Sequence, residues 1–282
     1  MEMTEKNYGG TTSFGVKSKP TSNNKNVVLE NSYNQNKIID NEKTLSKTDI
    51  ETLKKAGKIA KDVILFAKSF IKPQMSLLDI AERIEAKIIE LGAKPAFPIN
   101  LSINEIAAHS TPSWNDVEVA HGLLKVDIGV HINGFVADTA FSIDLDNNEE
   151  NKNLIKSAEL AVNSAVDIIK IGTPINEIGS SIERSIKSFS FHPIQNLSGH
   201  SINKYDLHSG TTIPNFDNSQ QIPIEEGLYA IEPFSTTGLG AVRDGKLSGI
   251  YHLEKPGTVR DSFAREILSY IKEEYKTLPF CS

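Results

Sequence analysis

The sequence predicts an α+β fold built from two pseudo-symmetric halves. The order helix, proline, helix occurs twice, first around Pro73 and again around Pro174. Glu82-Arg83 and Glu183-Arg184 follow these two prolines at the same offset. Each helical region is followed by short apolar runs, typical of strands, that contain isolated polar residues. This repetition indicates a weak internal duplication.

The first half should begin after a polar tail. Residues 1–45 are rich in Asn, Lys, Ser, Thr and Gly, so we predict a disordered tail and a folded domain over residues 46–282. Thr48 and Glu51 fit a capping box at the start of a first helix. Ser76 is placed to cap a second helix, and Gly92 is placed to end it.

Short elements follow the two helices of the first half. Residues 95–101 form a stiff apolar loop, and residues 103–109 are predicted as a short strand that delivers His109 towards a pocket. In the second half, helices are predicted over residues 153–171 and 174–188, with Pro174 in the first turn. A buried strand then covers residues 228–232 and ends in a glutamate.

Residues 126–141 form the central feature of the chain. Two apolar runs flank Asn133-Gly134, a strong signal for a two-residue hairpin turn. That turn pairs Gly129 with Asp138, and it places Asp127 on the same face as Asp138 at a Cβ separation of roughly 7 Å. Gly129 should leave open space in front of the two carboxylates. Two such charges on a partly buried face need a cation or a shared proton.

The overall composition limits the possible partners. The chain has a net charge of −6 and a pI of about 5.7, which favours neither a nucleic acid nor an anionic membrane as a partner. The N-terminal residues lack the apolar core of a signal peptide, and we find no apolar run long enough to span a membrane. The single cysteine, Cys281, has no partner for an internal disulfide. We therefore expect a cytoplasmic protein.

Four polar residues stand in apolar strand-like sequence: Asp127, Asp138, His200 and Glu232. Carboxylates with one imidazole suit Co, Mn, Fe or Zn, and carboxylates that bridge favour two divalent ions. The residue types alone leave alternatives open. The aspartates would also suit a solvent-facing hairpin, and His200 or His208 would also suit a hydrogen-bonded core position.

Five longer motifs resemble the type 2 methionine aminopeptidases, especially the short archaeal form. They are NLSINEIAAH (100–109), VDIGVHINGFVADTA (126–140), NLSGHSINKYDLHSG (196–210), EEGLYAIEPFSTTG (225–238) and YKTLPF (275–280). The resemblance implies the pita-bread fold. It also implies a monomeric metallo-aminopeptidase that removes the initiator methionine from nascent polypeptides, by attack of a hydroxide held by two metal ions.

The resemblance also assigns roles to individual residues. It implies that Asp127, Asp138, His200 and Glu232 are the metal ligands, with Glu232 also handling the proton of the hydroxide. His109 and His208 would be catalytic and substrate-binding histidines beside the scissile peptide. Phe97 and Ile99 are candidates for lining the methionine pocket.

The sequence departs from the family in one respect. Members of the family continue past the TLPF motif into closing strands that carry a fifth ligand, a glutamate. We therefore expect this chain to be truncated before those strands, to be one half of a split protein, or to be a degenerate relative. The alternatives for function are a non-catalytic pita-bread binding protein and a proline-dipeptide hydrolase of the same fold.

Overall fold

The computed structural model describes residues 4–5, 45–255 and 257–281. The predicted disordered tail lies outside the described residues, apart from Thr4–Glu5 and Leu45. The helices are α1 (Lys47–Phe70), α2 (Leu77–Glu90), α3 (Glu149–Ile168), α4 (Ile175–Lys187) and α5 (Ser262–Glu274). The strands are β1 (Thr4–Glu5), β2 (Lys94–Pro95), β3 (Asn100–Ile103), β4 (Leu123–Ile132), β5 (Phe135–Asp144), β6 (His192–Pro193), β7 (Ser198–Ile202), β8 (Thr212–Pro214), β9 (Leu228–Ala230), β10 (Ser235–Thr236), β11 (Ile250–His252) and β12 (Phe280–Cys281).

Helix α1 begins two residues earlier than the predicted capping box. Ser46 is the N-cap, and its hydroxyl accepts a hydrogen bond from the Asp49 amide at 3.2 Å. The Asp49 carboxylate in turn accepts one from the Ser46 amide at 3.0 Å. The prediction at Thr48 was wrong because an aspartate closes the box here in place of the usual glutamate or glutamine. Ser76 caps α2 as predicted, and Gly92 follows that helix with a φ of +80°.

Two further boundaries differ from the prediction. Helix α3 begins at Glu149, because Asn148 accepts amide hydrogen bonds as its N-cap. Pro174 is the N-cap of α4 and does not lie in its first turn. The predicted strand over residues 103–109 is also wrong. Asn104 has a φ of +49°, and its side-chain oxygen accepts from the Leu123 amide at 2.9 Å, so the chain turns out of the ladder there.

The hairpin between β4 and β5 has the predicted register. Ile132 pairs with Phe135 and Gly129 pairs with Asp138, which confirms the two-residue loop. Asn133 and Gly134 have φ values of +52° and +84°, as a type I′ turn requires. Asp127 and Asp138 therefore lie on one face of the sheet.

The opposite face of β4 belongs to the core of the first half. Leu124, Val126, Ile128 and Val130 are fully buried there against the apolar stripes of α1 and α2. Strands β2 and β3 pair with one edge of β4, and β5 pairs with the other edge. The sheet thus has one apolar face under the helices and one face that contains polar residues.

The second half repeats this order. Helices α3 and α4 pack together through a core that includes Ala161, Ile178, Ile182 and Ile186, and a three-stranded antiparallel sheet follows in the order β8-β7-β9. The repeated pair of helices with an antiparallel sheet confirms the predicted α+β class and its two similar halves.

The tip of the hairpin joins the two halves. The Tyr205 amide donates to the Gly134 carbonyl at 3.0 Å, and a β-carbon at Gly134 would lie 2.3 Å from the Tyr205 ring. A third apolar cluster, which includes Phe97, Val136 and Ala230, combines side chains from both halves. These contacts hold the polar face of the β4-β5 hairpin opposite β7 and β9.

Candidate metal centre

Three predicted ligands from different strands meet at the junction of the two halves. Asp138 (β5), His200 (β7) and Glu232 (after β9) have potential ligand atoms that all lie within 4.8 Å of one another. His200 Nε2 is 2.9 Å from a Glu232 oxygen and 3.6 Å from an Asp138 oxygen. The side chains of Asp138 and His200 are only 9% and 7% exposed. The fold therefore brings together residues that are far apart in sequence.

The closeness of His200 to Glu232 depends on a glycine. His200 pairs with Ala230, two residues before Glu232. A β-carbon on Gly199 would lie 2.2 Å from the Ala230 carbonyl oxygen and 3.2 Å from the Glu232 amide nitrogen. Only a residue without a side chain allows β7 to approach the Glu232 segment this closely.

Asp127 completes the polar face beside Asp138. Burial, together with the charge of Glu232, raises the pKa of Asp127 to about 8. Burial and the charges of Asp127 and Glu232 also raise the pKa of Asp138 well above its ordinary value. Three carboxyl groups thus share a buried space in which their charges repel each other. A divalent cation would compensate these charges, so the donor set fits a metal ion.

The neighbouring carboxyl groups make His200 a stronger base. Burial by itself lowers the pKa of His200, but its hydrogen bond to Glu232 and the charges of Glu232 and Asp138 outweigh burial and raise it. Without a metal ion, the imidazole and the carboxylates therefore share protons. The same nitrogen and oxygen atoms are close enough together to hold a metal ion.

The space in front of Gly129 is filled, contrary to the prediction. A β-carbon at Gly129 would lie 2.4 Å from the Phe97 ring, so the ring packs directly against this glycine. Phe97 is 6% exposed and lines the cavity described below. Ile99 is completely buried in the core of the first half, and it is not among the residues that line the cavity.

The carboxylates open into a cavity of about 370 Å³. His109 and His208 line this cavity with the four predicted ligands, and the rings of His200 and His208 are 4.1 Å apart between centroids. Burial is the main cause that lowers the pKa of His109 to about 4 and that of His208 to about 3. Both imidazoles are therefore neutral at pH 7, and each has one N–H to donate.

Several polar residues of the cavity were not predicted from the sequence. Asn100 and His252 both line it. Asn100 was detectable in principle, because Asn100 and Ser102 alternate with Leu101 and Ile103 in a period of two. His252 lies in the short strand β11, where the sequence gives no comparable pattern.

The fold and the cluster of carboxylates with a histidine define a metallopeptidase-like centre. The model of metallopeptidase family M24 matches residues 51–262, and the chain belongs to this family. The methionine aminopeptidase of Pyrococcus abyssi is 48% identical over 236 residues, which cover 82% of this chain and 79% of that protein. The methionine aminopeptidase of Pyrococcus horikoshii is 45% identical with the same coverage.

A solved structure shows the same fold. The methionine aminopeptidase of Rickettsia prowazekii superposes with a TM-score of 0.67 at 24% identity, covering 73% of this chain and 87% of that chain. The fold is therefore the pita-bread fold, as the resemblance implied. In the described part of the chain, no helix is long and apolar enough to cross a membrane.

Proposed function

We propose that this protein is a type 2 methionine aminopeptidase that removes the initiator methionine from nascent polypeptides. The observation that carries the proposal is the convergence of Asp138, His200 and Glu232 within 4.8 Å in the cavity that Asp127, His109 and His208 also line. The relatives named methionine aminopeptidase, at up to 48% identity, support the same activity.

In this proposal, two divalent ions of Co, Mn, Fe or Zn would be held by Asp127, Asp138, His200 and Glu232. When bound, such ions would supply Lewis acidity for the carbonyl of the substrate and would lower the pKa of the attacking water. Glu232 takes up the proton of that water. It suits this role because its side chain is 31% exposed, whereas the Asp138 side chain is 9% exposed.

The neutral histidines act on the peptide itself. Each donates one N–H, and a donor aimed at the developing oxyanion stabilises the transition state more than the substrate. In our assignment, one of His109 and His208 contacts the amide of the departing residue and the other contacts the oxyanion. Phe97 and Leu207 line the same cavity and provide an apolar surface for the methionine side chain.

The proposed substrates are the N-termini of nascent polypeptides, and we propose that a monomer acts on them in the cytoplasm. The acidic net charge of −6 agrees with a protein that does not bind nucleic acid directly. The type 2 character rests on the NEIAAH and KYDLHSG stretches, which also disfavour a proline-dipeptide hydrolase.

The test is release of free methionine from a Met-Ala-Ser peptide by protein loaded in turn with Co, Mn, Fe or Zn. A Met-Pro dipeptide, offered in parallel, tests the proline-dipeptide alternative. We expect hydrolysis of Met-Ala-Ser and loss of that hydrolysis in Asp138→Asn. Preferential cleavage of Met-Pro, or no cleavage of either peptide with any metal, would overturn the proposal.

A further inference from the structure

The side chain of Asn100 has one satisfied and one unsatisfied end. Its Nδ2 donates to the Pro98 carbonyl at 2.8 Å, which fixes the orientation of the amide. Its Oδ1 is buried and accepts no hydrogen bond from any described residue. Asn100 is 3% exposed, yet it lines the cavity of the candidate metal centre.

The register of the sheet places Asn100 beside the ligands. Asn100 pairs directly with Asp127, so the two side chains extend from the same face. Their sequence neighbours, Leu101 and Val126, point the other way into the core of the first half. A buried acceptor without a donor destabilises the fold, so a donor from outside the chain would offset that cost.

The chemistry of the cavity indicates which donor fits. Three acceptor carboxyl groups, those of Asp127, Asp138 and Glu232, line the cavity together with four histidines, and Asn100 adds one more acceptor beside Asp127. A ligand that brings several N–H groups on one atom matches such a surface. In the proposed function, the substrate has one such group, the free amine at its N-terminus.

We propose that Asn100 Oδ1 accepts a hydrogen bond from the N-terminal amine of the substrate. Asn100 thereby helps the site to select a free N-terminus over an internal peptide N–H. The nature of the substrate rests on the proposed function, whereas the unsatisfied oxygen is a feature of the fold.

A second asparagine of the same cavity shows the contrast. Asn196 donates to the Val242 carbonyl at 2.7 Å and accepts from the Val242 amide at 2.9 Å. Both ends of its amide are therefore used within the chain, and it has a structural role. In Asn100, only Nδ2 has a hydrogen-bond partner within the described residues, so Oδ1 remains to accept from a ligand.

The experiment compares the binding of methionine with that of its des-amino analogue, which has the same side chain and carboxylate without the amine. Dissociation constants are measured by calorimetry on manganese-loaded protein. Asn100→Leu should weaken methionine binding by roughly tenfold or more, as expected for a hydrogen bond to a charged group, and leave the analogue unchanged. Asn100→Ala is a smaller replacement if leucine does not pack, and Asn100→Asp should restore the preference for the amine.

Ser102→Ala is the matched control. Ser102 lies on the same strand face, and its buried hydroxyl also has no partner among the described residues, but it does not line the cavity. An unchanged preference for the amine in the Asn100 variants, or equal weakening of both ligands, would overturn the inference. Wild-type protein that shows an Asn100-dependent preference for the amine but cleaves no methionine peptide would contradict the proposed function alone.

Discussion

Gly199 lies against Ala230 in the neighbouring strand, where a β-carbon would come within 2.2 Å of the Ala230 carbonyl oxygen. This contact sets the distance between the strand that carries His200 and the segment that carries Glu232. A glycine that is not itself a ligand thus controls the 2.9 Å separation of two proposed ligands.

Gly199→Ala should therefore damage the site more than its small size suggests. The added methyl group forces β7 and β9 apart, and we expect a loss of about 1–3 kcal/mol of stability, as for an overpacked core. Metal affinity should fall as well, because His200 and Glu232 separate. Calorimetric titration with Mn²⁺ and thermal unfolding measure both effects.

Gly57→Ala is the control for that variant. A β-carbon at Gly57 meets nothing within 4 Å, and the residue lies inside α1. This change should raise stability by about 0.5–1 kcal/mol and leave metal binding unchanged. If Gly199→Ala binds metal like the wild type, then the close approach of the strands does not control the site.

The pH dependence of stability should have a contribution from His131. Burial, with a smaller effect of Lys94, lowers the pKa of His131 to about 4, and its Nδ1 accepts from the Gly134 amide at 3.1 Å. A depressed pKa means that the unfolded chain binds the proton more tightly. The stabilisation from neutral His131 is thus present above its ordinary pKa of 6.5 and is lost as pH falls towards 4.

His131→Asn should reduce this loss. The free energy of unfolding, measured with urea between pH 7 and pH 5, should decrease less in the variant than in the wild type. An identical decrease in both proteins would show that His131 does not titrate as described.

The buried aspartates predict the opposite pH dependence for the metal-free protein. The pKa of Asp127 is raised to about 8, so the folded state binds its proton more tightly than the unfolded state. The stability from this group is present below its ordinary pKa of 3.8 and is lost as pH rises towards 8. A bound divalent ion removes this penalty, because it compensates the charge.

The increase in melting temperature on adding Mn²⁺ should therefore be larger at pH 7.5 than at pH 5.5. Asp127→Asn has no proton to lose at this position, so its increase should change less with pH. A metal-induced increase that is equal at both pH values in the wild type would contradict this link between the aspartates and the ion.

His109 and His208 are expected to act on the peptide and not on the metal. His109→Ala and His208→Ala should retain bound metal but lose turnover by about 10²–10³-fold each, the effect of removing one oxyanion donor. Elemental analysis and the Met-Ala-Ser assay on the same preparations separate the two properties. If a variant loses metal in proportion to its activity, the histidine replaced in it would have to be reassigned as a metal ligand.

The sequence was most informative where structure is local. Asn133-Gly134 specifies its turn through the two positive φ values that these residues tolerate, and the register of the β4-β5 hairpin follows from that turn. The N-cap Ser76 was also predicted correctly, because its side chain accepts a hydrogen bond from Asp79, only three residues later. Asn104 was missed because its departure from the ladder depends on a hydrogen bond to Leu123, which is distant in sequence.

The site was predictable as a set of residues but not as a geometry. Asp127 and Asp138 are related by one turn, so their common face could be derived. The contact between His200 and Glu232 depends on pairing of β7 with β9 across a long connection. Packing of Phe97 on Gly129 brings a loop onto a strand, and no sequence pattern indicates which ring fills that space.

Asp127, Asp138, His200 and Glu232 are the proposed ligands of divalent metal. The most direct measurement is elemental analysis of dialysed protein after loading with Mn²⁺, for the wild type, Asp138→Asn and the exposed-site control Asp62→Asn. We predict bound metal in the wild type and in Asp62→Asn, and a sharp loss in a folded Asp138→Asn protein. Equal metal content in all three proteins would show that the ion is not bound at this centre.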